Sequence, residues 1–502
     1  MAVATTFDAL VARSASFDRL FPTEANRISR LVARAPGPER EAVRAQIEAD
    51  ARGTRVLVHE RVWALAGAFL AHKLAHGTAA ERHVYAGMTP AAWLQRLIRK
   101  RPLVFMGKAD STLLRDGATR PPRPATAAWD AVGTEAPSTH STPSELSLRE
   151  YLSYDEIQVS MLVGASTPTF FINSGDRRNS AVPGVPETFE NHGIYLGLVG
   201  ARFEREWRAE DEFVVVRSTA AAQDAARRGC LLPHRALEGE AGAASRDRMW
   251  AALYGVDALR PPDLIEAIDA AAASLAAKQP MDGAVQRTLE KHQIVPMAAG
   301  CFFSVRLYKQ RIRITIELLL LEANARAIEA QRRAYVHVVG LGLGVWEVLS
   351  EQMAWFLDVF SAVIDELMLP AIDIIDFSWF RNHDRCGSTV SGAVRESHNG
   401  NRIKIVFSKR EPAAKLSDPS LLLIASYAWD GNSFPGNEYW KGSLAGSGDP
   451  AAACCSTIAE LQNPEINDFT GNIAVLCIGA DGTPIVRTPS ADGQHLEGTS
   501  PV

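Results

Sequence analysis

Four short apolar runs, at 335–339 (YVHVV), 372–377, 402–407 and 421–427, follow one another in the second half of the chain, and a helical pattern separates the first two. Runs of this length, bounded by turn residues, read as strands buried on both faces. Strands alternating with helices require a layered α/β sheet with helices packed on it. Further strands are expected at 168–173 (PTFFIN), 193–200 (GIYLGLVG) and 212–217 (EFVVVR). Helices are expected at 263–277, 323–334 and 345–368, and apolar runs fill 300–307 and 312–321.

At 502 residues the chain exceeds what one compact core usually holds, so more than one unit is expected. Residues 7–105 carry apolar positions at helical spacing, and Thr89-Pro90 reads as a cap and first-turn pair. From 109 to about 148, Pro, Ser, Thr, Ala and Gly dominate and no apolar period survives. The expected organisation is an all-α helical domain at 1–108, a disordered linker at 109–147, an α/β domain at 148–487 and a disordered tail at 488–502.

The formal charge of −5 gives no electrostatic reason to bind nucleic acid or anionic membranes. Its six cysteines show no CxxC spacing, which argues against a zinc finger or a disulfide framework. His72 and His76 share a helix face but lack a third ligand, so no metal site is expected. No signal peptide or membrane-spanning run is visible, and a cytoplasmic protein is expected.

Chemistry could sit on three loops. Gly340-Leu341-Gly342-Leu343-Gly344 joins a buried strand to the expected helix, where backbone N–H groups and a helix dipole would favour a diphosphate. The same glycines could equally serve a tight turn. GxGxxG spacing is missing and no Gly-Lys-Ser/Thr follows, which disfavours a Rossmann dehydrogenase and excludes a Walker loop. A second loop, after Asn173, crowds Asp176, Arg177, Arg178 and Asn179, residue types that suit phosphates and hydroxyls or a solvated turn. The third follows the 421–427 strand and carries Asp430, Glu438 and Asp449 among Trp429, Phe434, Tyr439 and Trp440. Rings beside carboxylates suggest a pocket for a cationic or nucleoside ligand and would raise the acids' pKa. Asp449 before Pro450 could instead cap a helix.

The stretches AWDGNSFPGNEYW and SGDPAAACCSTIAELQNPEIN, with FFINSGDRRN, GIYLGLVGARFE, LLLLEANARA and VVGLGLGVWE, resemble the MavL-like divergent macrodomains over roughly 150–480. That resemblance implies a macrodomain-like three-layer α/β/α sandwich with a mixed sheet, here preceded by the all-α domain, and an arginine-specific ADP-ribosyl hydrolase. It implies ADP-ribose as substrate and product, no cofactor, and an ADP-ribosylated protein as partner, with ubiquitin a candidate. Export into a host cell would follow only for an effector-like protein. The implied catalytic residues are Asp430, Glu438 and Asp449. The implied ligand-binding residues are Asn173, Gly340, Leu341, Gly342, Leu343, Gly344, Val345, Trp346, Trp429, Gly431, Asn432 and Asn437.

The acids suit that chemistry on their own account. Cleaving ribose from a guanidino nitrogen resembles glycoside hydrolysis, in which carboxylates stabilise an oxocarbenium-like charge and activate water. Carboxylates also receive a guanidinium bidentately. Asp449 or Asp430 is expected to activate water and engage the ribose, and Glu438 to hold the guanidinium. A macrodomain that reads ADP-ribose without cleaving it, or a nucleotide-sugar or nucleotidyl transferase, would use the same loops.

Overall fold

The computed structural model describes residues 6–298 and 300–501. The first residues, in which no signal peptide is expected, and Val502 of the expected tail lie outside the described residues. At its centre is an 11-stranded sheet. In chain order the strands are β1 (Arg55–His59), β2 (Gly164–Phe170), β3 (His192–Leu198), β4 (Ala334–Val338), β5 (Ile372–Ser378), β6 (Val394–Glu396), β7 (Arg402–Ser408), β8 (Leu422–Ala428), β9 (Ile473–Ile478), β10 (Pro484–Pro489) and β11 (Leu496–Pro501). Across the sheet the order is β6-β7-β5-β4-β8-β3-β2-β1-β9-β10-β11.

The neighbours β7, β5, β4, β8 and β3 are mutually parallel. β2 runs antiparallel to both β3 and β1, so the sheet is mixed. From β4 the chain steps outward to β5 and β7, then returns to lay β8 on the opposite side of β4. Connections leaving β4 and β8 therefore diverge. A crevice opens at the carboxyl ends of two strands at such a reversal.

Helices cover both faces of the sheet. The central helix Val305–Glu329 is buried nearly all round, as its continuous apolar content requires. Its buried charges are paired. Glu317 meets His59 at 2.8 Å, Glu322 meets Arg55 at 2.8 Å, and Arg326 donates to the Ser166 hydroxyl at 3.2 Å. On the opposite face the Thr169 hydroxyl lies 2.7 Å from that of Thr457. Ser166 and Thr169 have opposite parity on β2, so they point to opposite sides. The apolar run at 312–321 and the helix expected from 323 are parts of this one helix.

Four sequence expectations need correction. The segment 1–108 is not all-α, because β1 lies inside the sheet between β2 and β9. A five-residue strand buried on both faces shows no alternation, and helices flank it on both sides. The helices expected around it are present, and Thr89 caps Pro90–Arg99 by accepting from the Ala92 N–H at 3.1 Å. The stretch 109–147 is packed: Ser111–Leu113 pairs with Val104–Met106, and Trp129 is fully buried beside Phe105. Asp130 binds Arg205 and Arg208 at 2.6 and 2.8 Å. Trp129, buried Leu113, Leu114 and Val132, and a few ion pairs fix a stretch whose composition reads as mobile. The tail is not free chain either, since β11 pairs with β10. Finally, the helix expected at 345–368 starts only at Gln352, so no helix N-terminus backs the glycine loop.

Among the described residues, no helix is long and apolar enough to cross a membrane. Glu322 is fully buried and pairs with both Arg55 and Arg326, at 2.8 and 2.7 Å. Removing both cations strands its charge. The double change Arg55→Met, Arg326→Met should therefore cost roughly 3–5 kcal/mol of stability, read from denaturant unfolding. A cost under ~1 kcal/mol would show that β1 is not tied to the central helix in this way.

Candidate functional site

The loop leaving β8 is pinned from several sides. Trp429 is buried, with the Arg101 guanidinium 4.3 Å over its ring. Arg101 also donates to the Ser160 hydroxyl at 3.0 Å, and Ser160 donates to the Gly431 carbonyl. Gly431 has φ +70°, and a Cβ there would come within 2.8 Å of Val199 Cγ2 and 3.0 Å of Met161 Cα. Only glycine allows this approach.

Asn437 carries the next restraint. Its carbonyl accepts from the Phe105 N–H at 3.0 Å, and its amide donates to the Phe105 carbonyl at 3.2 Å and to the Asp430 carboxylate. The short turn Asn437–Lys441 then presents Glu438, and the helix Gly448–Cys455 carries Asp449 in its first turn. Asp449 does not cap its own helix. Its Oδ1 accepts from the Gly436 N–H at 2.7 Å, and its buried Oδ2 has no hydrogen-bond partner among the described residues.

One carboxylate oxygen from each of Asp430, Glu438 and Asp449 lies within 4.8 Å of the other two. Such a cluster can surround a guanidinium or a small cation. Burial, then the nearby Glu438, pushes Asp430 up to about 7, while Arg202 pulls the other way. Burial, followed by repulsion from Asp430 and Glu438, holds Asp449 well above the usual carboxylate range. Arg202, beyond the end of β3, is paired with Glu204 at 2.6 Å and lies 5.3 Å from the Trp346 ring.

Beside the acids lies a cavity of about 650 Å³ at the carboxyl ends of the parallel strands. Ala428 and Gly448 line it next to the acid loop. Val339, Gly340, Leu343, Gly344 and Val345 line it after β4, Ser378 to Arg381 after β5, and Ser408 and Lys409 after β7. Exposed Arg177, Arg381 and Lys409 line it together with the acids Asp176, Glu347 and Glu411.

With this geometry, comparison with known proteins is decisive. A family model described as ADP-ribosylhydrolase MavL-like matches residues 8–487. The chain belongs to that family. It is 34% identical over 434 residues to a Drosophila melanogaster protein named ADP-ribosylarginine hydrolase CG2909, covering 84% of this chain and 78% of that protein. It is 36% identical over 433 residues to a second, ADP-ribosylarginine hydrolase CG3568, covering 84% and 77%.

Within this ADP-ribosylhydrolase, the residues singled out from sequence divide into two groups. Gly340, Leu343, Gly344 and Val345 line the cleft. Leu341, Trp346, Trp429, Asn432 and Asn437 are buried and do not line it. Gly342 also stays off the cleft wall: it has φ +76°, and a Cβ there would meet the Ala201 N and O at 2.9 Å. Its glycine serves close packing. Asn173 binds its own loop, accepting from Gly175 N–H at 2.9 Å and donating to the Val182 carbonyl at 3.0 Å. The loop instead brings Gly175, Asp176 and Arg177 to the cleft. The aromatic residues around the acids, Phe434, Tyr439 and Trp440, are core residues rather than pocket walls.

Sequence reasoning passed over Arg202, Trp379, Arg381 and Lys409. Trp379 has φ +68° and remains 50% exposed inside the cleft. Trp-Phe-Arg directly after a strand was the available signal. The two glycines give opposed expectations. Gly342→Val should lower the melting temperature, because backbone atoms block its side chain. A Cβ at Gly344 meets nothing within 4 Å. Gly344→Leu should leave melting unchanged and weaken ADP-ribose binding measured by calorimetry; full affinity would show that the ligand bypasses this loop.

Proposed function

We propose that this protein hydrolyses the N-glycosidic bond between ADP-ribose and arginine side chains of proteins. The observation that carries this reading is the convergence of Asp430, Glu438 and Asp449 beside a cleft whose lining includes Arg177, Arg381 and Lys409. Carboxylates repel a diphosphate and attract a guanidinium. A module that only held ADP-ribose would gain nothing from them. The names of the two fly relatives support the same linkage.

On this reading the domain is macrodomain-like, with ADP-ribose laid across the strand ends. The distal ribose would sit by the acids after β8, the diphosphate by Gly340, Leu343 and Gly344 after β4, and the adenosine near Trp379 after β5. Arg177, Arg381 and Lys409 would neutralise the phosphates.

The three acids then take different parts. Glu438 receives the substrate guanidinium. Asp430, ionised above about pH 7, takes a proton from water as the oxygen bonds to the anomeric carbon. The bond from that carbon to the guanidino nitrogen breaks, and Asp449, which keeps its proton, gives it to the departing nitrogen. Transfer of the captured proton from Asp430 to Asp449 resets the site. The substrate's own cation meets the acids, so no metal is invoked. The six cysteines are free thiols, which suits a cytoplasmic enzyme. Ubiquitin, suggested by the family resemblance, is the first protein substrate to assay.

Asp449→Asn should abolish release of ADP-ribose from an ADP-ribosylated arginine peptide while free ADP-ribose still binds. The same change should raise the melting temperature at pH 8. A carboxylate whose folded pKa is raised costs stability above its unfolded pKa, and an amide does not. Turnover equal to wild type would remove Asp449 from the chemistry. Binding by the wild-type protein without any release would favour the reader.

The pH profile provides a separate check. Asp430 must be ionised to act as base, so kcat should rise as pH increases through about 7, with apparent values belonging to the cluster. A profile already flat from pH 5 would assign the base elsewhere. Turnover should also persist in EDTA; its loss, restored by a divalent ion, would place a metal among the acids.

A further inference from the structure

Thr23 and Asn26 lie in the turn between the helices Phe7–Ala15 and Ile28–Arg34, far in sequence from the acids. Asn26 is 2% exposed. Its amide donates to the Ala453 carbonyl at 2.7 Å and to the Tyr439 hydroxyl at 3.3 Å. The Thr23 hydroxyl donates to the Asn26 carbonyl at 2.7 Å and lies 3.0 Å from the Tyr439 hydroxyl. Tyr439 is the neighbour of Glu438. Ala453 lies one helical turn beyond Asp449, and its carbonyl falls among the last four of that helix, which lack intrahelical donors. One side chain thus ties the segment carrying Glu438 to the helix carrying Asp449.

The surroundings make this tie rigid. Phe17 and Phe21 pack on Trp440, with ring centroids 6.1 and 5.3 Å away. The Glu460 carboxylate accepts from the Ile28 N–H at 2.6 Å. The N-terminal segment therefore closes over the back of the acid loop, on the side away from the cleft. Three carboxylates that repel one another need such a frame, since nothing in their own charges holds them together.

We infer that Asn26, supported by Thr23 and Tyr439, is a positioning residue that sets the spacing of Glu438 and Asp449. The inference rests on the reading of the acids as the catalytic group. It makes the N-terminal segment part of the active-site frame, although none of its residues reaches the cleft.

The test compares Asn26→Ala, Tyr439→Phe and Asp449→Asn for hydrolysis of an ADP-ribosylated arginine peptide, affinity for free ADP-ribose, and melting. Asn26→Ala should lower kcat about tenfold or more, the size expected when reacting groups are misplaced by a fraction of an ångström to an ångström. Free ADP-ribose, held mainly through cleft residues, should bind as before. The acid limb of the kcat profile should shift, because acid spacing sets how strongly the carboxylates couple. Tyr439→Phe removes only a hydroxyl and should move the same limb in the same direction; it carries the test if Asn26→Ala does not fold. Unchanged kcat and pH profile in Asn26→Ala, beside an inactive Asp449→Asn, would overturn the positioning role alone. So would parallel losses of kcat, ADP-ribose affinity and folded fraction. An active Asp449→Asn would overturn the reading of the acids, and this inference with it.

Discussion

Two adjacent parallel strands whose onward connections run in opposite directions cannot have their carboxyl ends covered by the same crossover, and a crevice is left between them. In this protein the pair is β4 and β8. One strand delivers the glycine loop to that crevice and the other delivers Asp430. Everything functional is arranged around this topological fact. The outward strands β5 and β7 extend the crevice into a cleft, and the helix carrying Asp449 closes its far side.

Placing three acids together beside the cleft opposes folding, because burial and repulsion disfavour the charged forms of Asp430 and Asp449. The fold meets this with fixed dipoles and packing rather than with a full set of counter-charges. Gly436 donates its N–H to Asp449, Asn437 donates to Asp430, and Arg202 stands near Asp430 while paired with Glu204. The acids are left partly uncompensated. That residual demand for a cation is what a guanidinium substrate can satisfy, and it links the strain of the loop to the chemistry.

Much of this was legible in the residues. The strands at β3, β4, β5, β7 and β8 follow from short apolar runs, and Asp430, Glu438 and Asp449 stand out as acids on one glycine-rich loop. The illegible parts share a cause. β1 looks helical because its neighbours are, and 109–147 looks mobile because its few buried side chains, Leu113, Leu114, Trp129 and Val132 among them, show no period. Gly342 and Asn173 carry the right residue types for a ligand, yet the backbone at Ala201 and the loop's own N–H groups claim them. Local composition cannot reveal the close approach of Ala201 to Gly342.

The sequence by itself determined the class of fold, the positions of the parallel strands and the acids on which the proposed chemistry depends, since hydrophobic period and residue type act locally. Tertiary structure alone decided that β8 would lie beside β4, that the three carboxylates would meet within 4.8 Å, and that the N-terminal segment would brace them through Asn26. Those outcomes depend on which elements neighbour one another across hundreds of residues. Only the packed sheet, with its reversal and its shared core, fixes that.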